Sequence, residues 1–161
     1  MITVEREPGV ARCVGVSRSE TERLVRAMLD GVGAPDANVH ILLAGDREIE
    51  RLNRLHLGLP GPTNVLSFPA RSESGDGHGD DDVVARPCDT APDGEDEHSL
   101  GSLAISMDAV AREGVLYGEG FERTFARHLC HGLLHLAGHD HGAVMYELTE
   151  SLLDELAPFA E

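Results

Sequence analysis

The chain predicts an α+β fold of the α/β type: a small mixed sheet of about four strands packed with about five helices. Two observations carry this prediction. Short apolar runs of strand length alternate with longer amphipathic stretches of helical period. The length of 161 residues fits one domain with enough chain to bury a core. A single domain over residues 1–161 is therefore expected.

Residues 2–5 read as a short strand. Ser17 or Ser19 can cap a helix running to about Asp30, with Leu24, Val25, Met28 and Leu29 on one face and Gly31-Val32-Gly33 ending it. Val39 to Leu43 is a second strand. Asp46 reads as the N-cap of a helix from Arg47 to Leu55, whose Ile49, Leu52 and Leu55 mark the buried stripe. Pro60-Gly61-Pro62 breaks the chain, and Val65 to Phe68 forms a third strand. Residues 71–98 are poor in apolar side chains and cannot offset their ordering entropy, so a disordered acidic loop is expected. Leu100 to Ser106 alternates as a fourth strand, and Asp108 to about Tyr117 is a short helix. Phe121 to Gly138 is the central helix, with Leu129, Leu133, Leu134 and Leu136 leaving it little polar surface. Glu147 to Leu156 closes the chain as a helix with Leu148, Leu152, Leu153 and Leu156 inward. The order of strands in the sheet does not follow from local pattern.

The formal charge is −16, half of it within residues 71–98. There is no basic stripe of the kind that meets phosphates, so any RNA contact must rest on a few positioned groups and a metal. No run of eighteen apolar residues exists, and Met1 to Glu7 lacks the regions of a signal peptide, so a cytoplasmic protein without membrane contact is expected. Cys13, Cys88 and Cys130 are odd in number and widely spaced, which argues against a disulfide framework. Cys130 is better read as buried packing than as a ligand, because adjacent residues diverge by about 100° on a helix. His78 and His98 read as solvent-exposed.

The chemistry lies in the run His131-Gly132-Leu133-Leu134-His135-Leu136-Ala137-Gly138-His139-Asp140-His141. Histidines at i and i+4 project from one helix face. Gly138 accepts the left-handed conformation that ends a helix and lets His141 return over that face. Three imidazoles converging in this way leave a tetrahedral position open, as catalytic zinc sites do. A lone histidine on such a face is ordinarily a core residue, but three in eleven positions point to metal. The ligand spacing is also that of metzincin peptidases, whose general base is a Glu directly after the first His. Gly132 stands there instead, and the chemistry moves away from peptides. His139 and Asp140 are further catalytic candidates, able to orient a ligand or move a proton; Asp140 equally suits a turn cap.

These residues resemble the YbeY family, whose signature is H-G-x-L-H-L-x-G-(Y/H)-D-H. Gly45 to Asn53 resembles its D-x-x-I-x-x-L-N segment, Pro62 to Pro69 its P-T-D-V-L-S-F-P, and Leu100 to Ser106 its L-G-D-I-x-I-S. Met145 to Leu153 resembles its closing helix. The resemblance implies one zinc ion on His131, His135 and His141, a small central sheet, and single-strand-specific endoribonuclease activity. It further implies 16S ribosomal RNA 3′-end maturation and ribosome quality control in the cytoplasm. The implied partners are ribosomal RNA, the small ribosomal subunit and the GTPase Era, with no DNA. Three positions depart from the family. Leu57 replaces an arginine, and Asn64 and Ser102 replace aspartates, which implies weaker cleavage or a cation from a partner. Arg51 and Arg54 are either surface charges or approach the site from the preceding helix. A noncatalytic metal-binding assembly factor and a zinc peptidase are the competing readings.

Overall fold

Strand β1 (Ile2–Arg6) lies at one edge of a four-stranded sheet, alongside β2 (Asn38–Ala44), β4 (Ser99–Ser106) and β3 (Val65–Pro69), in the order β1-β2-β4-β3. The structure is a computed structural model that describes residues 1–10, 16–70 and 98–156. β1, β2 and β4 are parallel, and β3 pairs antiparallel to β4, with Val65 opposite Ile105 and Phe68 opposite Ser102. The sheet is thus mixed, and the five helices among the described residues complete the expected α+β architecture. The acidic loop read over residues 71–98, and Cys13, Cys88 and His78, lie outside the described residues apart from His98, which sits in an exposed turn.

Side chains alternate across the pleat, and both faces are covered. Val39, Ile41, Leu43, Leu103 and Ile105 face a core shared with α1 (Arg18–Gly31), α4 (Phe121–Leu136) and α5 (Ala143–Leu156). Leu42, Ala44, Ala104, Leu66 and Phe68 face the opposite way, onto Ile49 and Leu52 of α2 (Asp46–Leu57). α3 (Met107–Leu116) follows β4 directly and adds Met107 and Val110 to the first core.

Local chemistry sets the helix ends. Ser17, rather than Ser19, caps α1: its hydroxyl accepts from the Glu20 amide at 3.2 Å and Glu20 reaches back to the Ser17 amide at 2.7 Å, a capping box. Asp46 is not the cap of α2. Gly45 holds that position, and Asp46 is the first helical residue, its carboxylate accepting from Ser106 Oγ at 2.7 Å and from Arg112 at 2.6 Å. Its own amide donates to Asp108 at 2.8 Å, so a carboxylate from α3 does the capping.

Leu55 also departs from expectation, being 63% exposed. The buried row of α2 runs Ile49, Leu52, Asn53 and half-buried His56, a regular i, i+3, i+4, i+7 face from which Leu55 is turned by more than a right angle. Asn53 is buried because its side-chain amide donates to Gly61 O at 3.0 Å, fixing the loop after the helix. α4 stops at Leu136, two residues short of expectation, and α5 begins at Ala143, four residues early, with Leu148 only partly buried. Among the described residues no helix is long and apolar enough to cross a membrane.

Candidate metal centre

α4 carries the first two histidines of the motif, and its termination delivers the third. Gly138 has φ +93°, in the left-handed region. Its amide donates to His135 O and the His139 amide to Leu134 O, both at 3.0 Å, the paired bonds of a Schellman end. The chain then turns into α5. Backbone bonds close this turn, and among the described residues no side-chain bond from Asp140 contributes to it; the capping role read for Asp140 is not what ends the helix.

The reversal brings His131, His135 and His141 together, with one ring nitrogen from each inside a group no more than 4.8 Å across. Ring centroids are 4.7 Å apart for His131–His135, 5.1 Å for His131–His141 and 4.4 Å for His135–His141. Nε2 of His131 and Nε2 of His135 stand 3.1 Å apart. Two nitrogens sharing one tetrahedral zinc at bond lengths of about 2.0–2.1 Å would be separated by roughly 3.3 Å, so this pair fits a common ion. Burial, with the neighbouring imidazoles of His135, His141 and His128, pushes His131 down to about 4. Its ring is therefore neutral at pH 7 with a lone pair to donate. The group can hold a metal ion, and His141, the exposed member, leaves it open to solvent.

Gly132 explains why no peptidase base accompanies these histidines. A Cβ built there would lie 2.7 Å from Leu103 Cδ2 and 3.2 Å from Val65 Cγ2. This side of α4 is pressed on β4 and β3, with no space for a glutamate. Cys130 is buried beside Thr149, and burial pushes its thiol up to about 11, so it is a packing residue as expected. His139 is half-buried and Asp140 exposed, both directly after the helix end.

The other singled-out positions lie elsewhere. Arg51 and Arg54 pair with Glu48 and Glu50 on α2, which covers the sheet face opposite α4, so they are not brought to the histidines. Leu57 is exposed in the last turn of that helix. Ser102 shares the α2 face of β4 with Ala104, while its neighbour Leu103 faces α4. Asn64 is different: its amide donates to Glu113 at 3.4 Å, and Glu113 stands 2.7 Å from Nε2 of buried His128. Sequence reading missed His128 and Glu113. His128 precedes His131 by three residues and so shares its helix face, a signal that was present, but its partner comes from another helix.

Comparison with known proteins follows the same lines. The sequence model of the endoribonuclease YbeY family matches residues 12–157. The chain belongs to the endoribonuclease YbeY family. Endoribonuclease YbeY of Oleidesulfovibrio alaskensis is 39% identical over 153 residues, covering 95% of this chain and 90% of that protein. The Nitratidesulfovibrio vulgaris member is 40% identical over 129 residues, covering 78% and 75%, and that of Roseiflexus castenholzii 34% over 141 residues, covering 88% and 79%. The solution structure of TM1509 from Thermotoga maritima shares the fold, with a TM-score of 0.61 at 24% identity over 99% of this chain and 91% of that one.

Proposed function

We propose that this YbeY-family chain is a zinc-dependent, single-strand-specific endoribonuclease acting in 16S ribosomal RNA 3′-end maturation and ribosome quality control in the cytoplasm. Family membership supports RNA cleavage. The observation that carries the metal assignment is the gathering of three ring nitrogens within 4.8 Å at the end of α4. His131, His135 and His141 would hold the ion. When bound, zinc supplies Lewis acidity at a phosphodiester and acidifies water toward neutrality. The chain's own part is to fix three donors on a helix end, keep the sheet side closed at Gly132, and leave the His141 side open for a substrate strand. His139 and Asp140, next to His141 in sequence, would orient a donor or move a proton. Ribosomal RNA, the small ribosomal subunit and the GTPase Era are the partners this reading implies.

The test is incubation of the zinc-loaded protein with a short single-stranded RNA and its duplex, with and without chelator. Cleavage of the single strand that chelator abolishes and zinc restores is the expected result. Cleavage that survives complete metal removal would reject the centre proposed here. A second reading, a noncatalytic assembly factor, is favoured by exposed Leu57 in the place of the family's arginine. It predicts subunit binding with no cleavage in any arm.

A further inference from the structure

We propose that Tyr146 is a base-stacking residue of the substrate surface, set across the α4–α5 seam from His131. The proposal rests on the reading that the chain binds single-stranded RNA. The two helices form an antiparallel hairpin bridged by side-chain pairs. Arg123 lies 3.7 Å from Asp154, and Arg127 pairs with Glu150 one turn further on. Continuing that row by another turn on each helix sets His131 opposite Tyr146. The Cys130 thiol packs against Thr149 across the same pair of helices. The Tyr146 amide donates to Gly142 O at 3.1 Å, so the residue sits one turn after the loop that delivers His141. Its side chain is 66% exposed, and among the described residues its phenol has no partner.

Charge makes this exposure informative. A phosphate-gripping surface needs unneutralised cations, and the chain carries −16 overall. From residue 121 to 156 the only basic side chains besides histidine are Arg123 and Arg127. Both are engaged, Arg127 by Glu119 and Glu150, Arg123 by Glu150 and Asp154. The hairpin around the histidines therefore offers a strand little electrostatic grip. What it does offer is one flat aromatic face. Base–aromatic stacking needs no cation, and it needs a base whose face is free, as in single strands and not in duplexes. The chain has no tryptophan, two tyrosines and four phenylalanines. Among the described residues Tyr117 and Tyr146 are the only exposed side chains of the Phe, Tyr and Trp set. Tyr117 lies before the start of α4, at the end away from the histidines by on the order of 20 Å of helix rise.

The experiment uses the full chain and a short single-stranded RNA, with binding read by fluorescence anisotropy and cleavage by gel. Tyr146→Ala should raise the Kd by about fivefold to about a hundredfold, the range of one lost stacked base. Tyr146→Phe should retain parent affinity, and Tyr117→Ala should leave it unchanged. Tyr146→Trp places a sole indole whose emission should be quenched by single-stranded RNA and not by duplex. A Tyr146→Ala variant binding as tightly as a parent that does bind and cleave would overturn this proposal alone. A parent that neither binds nor cleaves would overturn it together with the nuclease reading.

Discussion

Replacing Gly132 with alanine probes the seam that fixes the histidine-bearing helix on the sheet. In an ordinary exposed helix the change would stabilise by about 1 kcal/mol, because alanine loses less backbone entropy. Here the added methyl would lie 2.7 Å and 3.0 Å from the two δ-carbons of Leu103. Leu103 is fully buried on the central strand β4, so any shift of its side chain presses on the surrounding core. Overpacking of this kind costs about 1–3 kcal/mol. The net expectation is a loss of up to about 2 kcal/mol, equivalent to a melting temperature lower by roughly 2–4 °C per kcal/mol for a chain of this size. Urea and thermal unfolding of the metal-free protein measure it. Leu103→Ala makes room, so in that background Gly132→Ala should lose its penalty, with a coupling of about 1 kcal/mol or more in a double-mutant cycle. A Gly132→Ala protein that is more stable than its parent by the same amount in both backgrounds would refute the packing argument. Gly132→Glu, which recreates the peptidase pattern, should unfold the seam without conferring peptide cleavage.

Three other outcomes are expected. His135→Ala should remove tight zinc binding, and near-stoichiometric zinc in the purified variant would count against the three-histidine centre. Arg112, together with the Ser106 hydroxyl, holds the Asp46 carboxyl below the usual range, so the stability this carboxylate contributes is present above its unfolded value of about 3.9 and lost as pH falls through the lower folded one. The urea midpoint of the parent should therefore drop more steeply below about pH 4 than that of Asp46→Asn, and parallel curves would reject the assignment. Cys130, buried with its thiol pushed up to about 11, should resist alkylation at pH 7 in a Cys13→Ser, Cys88→Ser protein and react on unfolding; rapid native labelling would show the α4–α5 seam to be open.

Element identity was legible because each helix and strand carries its own local signature. The Gly138 reversal is written in a few adjacent residues and could be read from them, whereas only the structure selects Ser17 over Ser19 through its pairing with Glu20. The order β1-β2-β4-β3 could not, since pairing Leu43 with Ile105 is a matter of long-range fit rather than of local pattern. Leu55 is apolar but out of helical phase with the core; the buried row passes through Asn53 and His56, polar residues with packing of their own. Asp46 has the chemistry of a cap, but the partners that draw it inward, Ser106 and Arg112, lie sixty or more residues away. At the candidate centre the three histidines that the structure gathers were evident from spacing. His128 and Glu113 were not, because their pairing is made only when α3 is laid against α4.

The six residues between α4 and α5 have a consequence for how this centre could be altered. The third donor is placed by a backbone conformation rather than by a side chain reaching across, so its position is set by the length and handedness of one tight connection. Lengthening that connection by a single residue would carry the exposed imidazole out of range while leaving the sheet untouched. The hairpin is thus a point where coordination can be gained or lost independently of the fold.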